Sequence, residues 1–128
     1  MIDFKTLRLT RKPNQYLVAP PDFTPAPAHR QSPVFPWPAA ELARRFRAIA
    51  LAAPRVTPLA EADGGRRFEV VQRSALLRFP DTVSVEAVPL GDRKAALAIY
   101  SRSRYGRSDF GANRKRIDAW LAALAATA

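Results

Sequence analysis

The last third of the chain carries the side chains best suited to chemistry. Guanidinium groups donate paired hydrogen bonds to carboxylates and phosphates, and a helix N-terminus offers free N–H groups to the same anions. Both features are expected here, where a strand end, a glycine-bearing loop and a helix follow one another. The candidate residues for binding an anion or an acidic partner are Arg102, Arg104, Arg107, Asp109, Asn113 and Arg114.

A second interpretation makes Asp109 itself the bound anion. Aspartate is a good N-cap, so its carboxylate can accept hydrogen bonds from the first N–H groups of the final helix. The same carboxylate can take a bidentate pair from Arg102 or Arg104 and lock the loop to the sheet. Gly106 and Gly111 permit the turns that either arrangement needs. The sequence leaves an external ligand and a structural ion pair both open.

Side chains suited to catalysis are few. The chain has no cysteine and one histidine, His29, so thiolate chemistry, disulfides and metal sites built on sulfur or on several histidines are not expected. The acidic residues fall mostly at predicted turns or at outward strand positions. General acid–base catalysis needs two groups in one cleft, and nothing in the pattern brings two carboxylates together. We therefore expect no enzymatic activity, no metal and no cofactor.

The formal net charge of +10 on 128 residues predicts attraction to acidic partners. The expected partner is a larger protein complex with an acidic surface, and anionic membrane headgroups are a second class. Nucleic acid is not expected, because the sheet lacks the glycine–aromatic signature of RNA-binding domains. No apolar run could span a bilayer and the N-terminus lacks a signal-peptide core, so we expect a cytoplasmic protein, at most peripheral on the inner face of the membrane.

Residues 1–38 are predicted to form an N-terminal segment and an extended proline-rich arm. Seven prolines between positions 20 and 38 disfavour helix and central strand there. The aromatic residues Phe23, Phe35 and Trp37 punctuate the arm, and aromatic side chains in such a segment are expected to be docked. They can dock on this chain's own fold or in the groove of a partner.

Residues 39–128 are predicted to form a single α+β domain with a helix at each end. The first helix covers 39–53, because Pro38 can start a helix and Pro54 ends it. The last helix covers 110–126. Its apolar side chains recur on one face, which is typical of a helix packed on a sheet; they are Ile117, Trp120, Leu121 and Leu124.

Between the helices, apolar and polar residues alternate with the period of β-strands. In the middle strand, Val83 and Val85 point inward while Thr82, Ser84 and Glu86 point outward. Turn residues between the strands predict hairpins. The predicted strands cover 66–74, 82–88 and 95–103, and a shorter one at 55–62 can precede them.

The fold class is therefore α+β: a curved antiparallel meander of three to four strands, with a helix before it and a C-terminal helix packed on one face, plus the extended Pro-rich arm. A ligand cavity between a curved sheet and the last helix is a further interpretation. With so few strands, a filled core is the stronger expectation.

Three blocks of the sequence resemble a known family, the domain of unknown function catalogued as number 1499. They are residues 12–18 (KPNQYLV), 73–85 (RSALLRFPDTVSV) and 98–116 (AIYSRSRYGRSDFGANRKR). The resemblance runs over nearly the whole chain and implies a bacterial family with plastid relatives. Some members carry membrane helices ahead of this domain. The family has no established activity, so the resemblance implies no catalytic residues.

These observations predict a non-catalytic interaction or accessory module. We expect it to dock onto a larger, membrane-bound assembly, such as an energy-transducing complex, through its proline-rich aromatic arm and its basic face. The alternative is a protein that binds a small molecule or anion through the arginine-rich loop and the start of the C-terminal helix.

Overall fold

The first helix is bounded by prolines. In the computed structural model, which describes every residue of the chain, helix α1 covers Ala39–Ala52 and lies between Pro38 and Pro54. Proline fixes φ at a value suited to a first helical turn and lacks the N–H that an inner turn needs. Leu42 and Phe46 are fully buried on one stripe of α1, as the sequence predicts.

Helix α2 covers Ala112–Ala125 and starts two residues later than predicted. Phe110 and Gly111 have positive φ angles of 53° and 78°, so the backbone at these positions is left-handed and cannot belong to the helix. The apolar face of α2 is the predicted one. Its buried side chains include Ile117, Trp120, Leu121 and Leu124.

The predicted meander is present and has four strands. Consecutive strands pair antiparallel throughout. The strands are β4 (Val56–Ala62), β5 (Arg67–Arg73), β6 (Pro80–Pro89) and β7 (Ala95–Ser103).

The N-terminal residues add three strands to the same sheet. Strand β1 (Gln15–Ala19) pairs antiparallel with the second half of β7, and β3 (Val34–Phe35) pairs antiparallel with its first half. Strand β2 (Arg30–Gln31) runs parallel to β1. The result is a mixed seven-stranded sheet in the order β2-β1-β7-β6-β5-β4. Residues 1–38 and the region that follows therefore share one sheet.

Both helices lie on one face of the sheet, which we call the helix face. Helix α1 contacts β6 and β7, and α2 contacts β7 and β1. The rings of Phe46 and Trp120 meet edge to face, with their centroids 6.1 Å apart. The strand residues predicted to point inward, including Val83, Val85 and Ile99, are buried here.

The opposite face of the sheet, the second face, is covered as well. Phe4 lies in a short 3-10 turn and packs with Leu17, Ala98 and Tyr100 in a separate apolar cluster. Thr82 and Ser84 are therefore buried, although their alternation predicted outward positions. Those side chains do point away from the helices, but the N-terminal segment takes the place of solvent. Neither helix of the fold is long and apolar enough to cross a membrane.

Candidate functional site

Asn113 joins the start of α2 to the sheet. Its side chain is fully buried, and its Oδ1 accepts hydrogen bonds from Ser101 Oγ at 2.6 Å and Arg116 Nη1 at 2.7 Å. Its Nδ2 donates to the Asn14 carbonyl, to Ser103 Oγ and to the Asp109 carboxylate. The hydrogen-bonding capacity of Asn113 is thus used inside the chain.

Arg116 forms the most buried ion pair of the protein. Its Nη2 lies 2.7 Å from Asp81 Oδ2, and the two side chains are only 10% and 14% exposed. The same guanidinium donates to Gln72 Oε1, to Ser101 Oγ and to Asn113. One side chain of α2 therefore ties strands β5, β6 and β7 together.

Asp109 accepts hydrogen bonds from N–H groups at the start of α2. Its carboxylate accepts from the backbone N–H of Gly111 at 2.8 Å and from that of Asn113 at 3.2 Å. Burial alone would raise the pKa of Asp109, but the hydrogen bonds from the Asn113 side chain and from these backbone groups outweigh it. The pKa of Asp109 consequently lies below its ordinary value. The predicted capping role is confirmed, although the residue that directly precedes the helix is Gly111.

Arg102 lies on the second face. Its Nη1 donates to Ser84 Oγ at 2.8 Å and to the Tyr100 carbonyl at 3.0 Å, and the guanidinium stacks 4.8 Å from the centroid of the Tyr100 ring. Burial lowers the pKa of Arg102, and the nearby negative charge of Glu69 opposes that shift. Arg102 is therefore a half-desolvated cation.

The sheet separates Arg102 from Asp109 and Asn113. Ser101 and Ser103 of β7 face α2 and contact Asn113, so Arg102 between them points to the other face. Asp109 makes no ion pair with Arg102 or Arg104, and the lock suggested from the sequence is not formed.

The three remaining candidates are exposed to solvent. Arg104 and Arg107 lie in the loop between β7 and α2, and their side chains make no hydrogen bond or ion pair within the chain. Arg114 on α2 is 74% exposed and lies 3.6 Å from Asp118.

The aromatic residues of the proline-rich segment pack on this chain. Phe35 is buried in the main core and stacks against Trp37, whose ring also lies 4.3 Å from the guanidinium carbon of Arg45. Phe23 packs beside Phe4 on the second face. To lie in the groove of a partner, these side chains would have to leave those contacts.

A shallow depression lies between the start of β1 and the start of α2. The residues of β1 that line it, Gln15 and Tyr16, are the first two of that strand. The depression has a volume of about 510 Å³, and Lys12, His29 and Arg114 contribute its basic groups. The imidazole of His29 already serves the fold, because its Nδ1 accepts from the Leu17 N–H at 2.9 Å. No group of three His, Asp or Glu side chains in the structure could hold a metal ion.

Exposed apolar side chains cluster at one end of the sheet, which we call the loop edge. It consists of residues 74–79, between β5 and β6, and residues 104–111, between β7 and α2. Leu76 is 87% exposed and Phe110 is 89% exposed. A groove of about 650 Å³ runs between the two loops. Its exposed large apolar side chains are Leu76, Leu77, Phe79, Tyr105 and Phe110.

Arginines without carboxylate partners line this groove or lie in its two loops. Elsewhere the acidic residues neutralise their neighbours: Glu41 pairs with Arg44 and Arg45, and Glu86 pairs with Arg66 and Arg67. At the loop edge the carboxylates of Asp81 and Asp109 are engaged, as described above. The arginines that make no ion pair there are Arg55 and Arg73, which line the groove, and Arg78 and Arg107, which lie in the two loops.

Arg104 and Arg107 of this edge are candidates from the sequence, whereas Arg55, Arg73, Arg78 and the apolar residues are not. A signal was present, because Leu76, Leu77 and Phe79 stand in a predicted hairpin loop, where polar turn residues are the rule. Exposed apolar residues grouped in one patch mark interaction sites more often than scattered ones do.

No curated protein and no solved structure matches the chain. A family model does match, and it covers residues 9–124, which include β1, the meander, α1, the loop edge and all but the last residue of α2. The chain therefore belongs to the family described as "Protein of unknown function (DUF1499)".

Proposed function

We propose that this protein is a non-catalytic docking module that binds an acidic surface of a larger protein assembly through its loop edge. One observation carries the proposal: five exposed apolar side chains lie on two adjacent loops, and four arginines without carboxylate partners line the groove between them or lie in those loops. Apolar contacts at the centre of an interface supply affinity, and the charges around them select and steer the partner.

The proposal gives the polar network beneath the loops a supporting role. Asn14 Nδ2 donates to the Gly106 carbonyl at 2.7 Å, and Asn113 fixes Asp109 at the start of α2. A loop held in this way loses less conformational entropy on binding than a free loop does, which favours affinity. The proline-rich segment belongs to the scaffold in this proposal, since Phe35 and Trp37 are packed on the core.

The alternative of an anion bound at the start of α2 receives less support. The amide groups that an external anion would use already donate to Asp109. Arg102, which was expected to contribute, lies on the opposite face of the sheet. Small-anion binding is therefore better sought on the second face.

The experiment compares variants of the whole chain in the cells that make it. Leu76→Ser with Leu77→Ser removes two exposed contacts of the loop edge, while Leu90→Ser removes an exposed leucine from the β6–β7 loop. After mild detergent extraction and size fractionation, we expect the wild type and the Leu90 variant to migrate with a large complex. The Leu76/Leu77 variant should migrate near 14.2 kDa. Equal migration of all three would contradict the proposal.

A second arm separates a protein partner from a lipid surface. The purified wild-type chain is mixed with vesicles of phosphatidylglycerol, and sedimentation measures the bound fraction. The proposal expects little binding at physiological ionic strength. If the vesicles retain the wild type and lose the Leu76/Leu77 variant, the loop edge is a membrane-binding surface and the acidic protein partner is wrong.

A further inference from the structure

A polar pocket opens on the second face, away from the groove of the loop edge. It lies between the N-terminal residues and strands β4 to β7 and has a volume of about 340 Å³. The residues that line it are Met1, Ile2, Leu59, Glu69, Thr82, Arg102 and Arg104. We call it the second-face pocket. Its floor is charged, which is unusual for a sheet face covered by the chain itself.

Glu69 and Arg102 stand on this floor without touching each other. Glu69 is 6% exposed, and its Oε2 accepts from the Ser84 hydroxyl and from the Ile2 N–H at 3.3 Å. Ser84 Oγ in turn accepts from Arg102 Nη1 at 2.8 Å. A serine therefore bridges the two charges, and the Nε and Nη2 of Arg102 have no partner in the chain.

Thr82 contributes an unpartnered hydroxyl. The residue is 4% exposed and its Oγ1 makes no hydrogen bond. It lies directly across from Arg102 in the β6–β7 pairing. A buried hydroxyl without a partner destabilises the fold, so such groups are rare unless something else satisfies them. A change between staggered χ1 positions can turn this hydroxyl toward a molecule in the pocket.

The charges of the pocket favour a monoanion. Among the side chains that line it, Arg102 and Arg104 are cations and Glu69 is an anion, which leaves one positive side-chain charge in excess. A carboxylate can take paired hydrogen bonds from the free side of the Arg102 guanidinium. A doubly charged group would meet repulsion from Glu69. The Thr82 hydroxyl and the Glu69 carboxyl are then placed to bind a hydroxyl group of the same molecule.

We propose that the second-face pocket binds a small hydroxylated monocarboxylate. Arg102 and Arg104 hold its carboxylate, and Thr82 with Glu69 selects its hydroxyl group. The proposal does not rest on docking at the loop edge, because a different face and a different observation, the unpartnered Thr82, support it.

The test uses glycerate as the probe and propionate, which lacks its hydroxyl groups, as the matched ligand. Amide resonances of Thr82, Ser84 and Arg102 in the full chain are followed by NMR during titration. We expect glycerate to bind about fivefold more tightly than propionate, because only glycerate offers a hydroxyl group that can hydrogen-bond to Thr82 and Glu69. Inorganic phosphate should bind more weakly than glycerate.

Three variants test which side chains bind the ligand. Thr82→Val keeps the shape of the side chain and removes only the unpartnered hydroxyl, so the fold should persist while the preference for glycerate disappears. Arg104→Gln, at an exposed and unpaired position, should weaken the binding of both glycerate and propionate about tenfold. Arg107→Gln should leave both affinities unchanged. Equal binding of glycerate and propionate by the wild type, a retained preference in Thr82→Val, tighter binding of phosphate, or no resonance shifts at all would overturn the proposal.

Discussion

Among single residues, we predict that Arg116 contributes most to the stability of the fold. Its pair with Asp81 is nearly buried, and removing one partner leaves a charge without compensation. Arg116→Ala should therefore lower the free energy of unfolding by about 3 to 5 kcal/mol. Urea denaturation of the purified chain measures the change.

The matched control is Arg114→Ala, two positions away on the same helix. That arginine is 74% exposed, and its contact with Asp118 is a surface pair. Such pairs contribute about 1 kcal/mol or less. Similar destabilisation by the two substitutions would show that Arg116 does not hold α2 on the sheet.

Asp109 makes the stability of the fold depend on pH. Because hydrogen bonds to its charged form lower its pKa in the folded state, its contribution is fully present above the ordinary value of 3.8 and is lost as the pH falls below it. Asp109→Ala should cost about 1 kcal/mol at neutral pH, as loss of a helix cap does.

The pH dependence is read from the difference between wild type and Asp109→Ala in urea denaturation. The gap should narrow as the pH is lowered below 3.8, because the wild-type carboxyl becomes protonated. A gap that stays constant over that range would mean that the charge of Asp109 makes no contribution.

The sequence predicted part of this residue-level picture. Asp109 was expected as a helix cap, because aspartate before an amphipathic helix is a local signal. Its pairing with Arg102 or Arg104 was not formed, and the reason lies in strand alternation: residues 101 and 103 face α2, so residue 102 cannot. The Thr82 hydroxyl is buried without a partner because the N-terminal segment covers the second face, and no local sequence pattern predicts that cover.

At the scale of elements, the proline-rich segment acts as a structural part of the sheet. Phe35 is buried in the main core although it lies in a two-residue strand. Phe35→Ala should lower the free energy of unfolding by about 3 to 5 kcal/mol in the purified chain, with no partner present.

The control is Phe110→Ala, which truncates the same kind of side chain at an 89% exposed position. Exposed substitutions of this kind change stability by about 0.5 kcal/mol or less. If Phe35→Ala were equally mild in thermal or urea denaturation, the segment would not be fixed to the core as described.

Both helices and the four-strand meander follow from the sequence, because their periodicity and turn residues are local. The place of β1 beside β7 does not. Residues 15 and 102 are partners in the sheet but lie far apart in the chain, and pairing over such a separation leaves no local pattern. The same limit applies to the second face, where Thr82 and Ser84 look solvent-facing until the N-terminal turn is placed over them.

Across the whole molecule, which has a net charge of +10, ion pairs neutralise the arginines of some regions and leave those of another unpaired. Ion pairs involving Glu41, Glu61, Asp63 and Glu86 neutralise arginines of α1, β5 and the β4–β5 turn, whereas the loop edge keeps unpaired arginines. Charges exposed in this way act over about 8 Å at physiological ionic strength.

Salt should therefore weaken docking, because counterions screen the loop-edge arginines from an acidic partner. In extracts of increasing ionic strength, the fraction of wild-type chain that migrates with the large complex should fall. Arg78→Gln with Arg107→Gln should lower that fraction already at low salt. Retention that is insensitive to both changes would mean that charge does not select the partner.

The most direct measurement is site-specific photocrosslinking in the cells that make the protein. A benzoylphenylalanine replaces Leu77 at the loop edge or, in the control, Leu90 in the β6–β7 loop; both leucines are exposed. The account predicts a discrete adduct with an acidic protein from position 77 and none from position 90. No adduct at 77, or the same adducts from both positions, would contradict the loop edge as the docking surface.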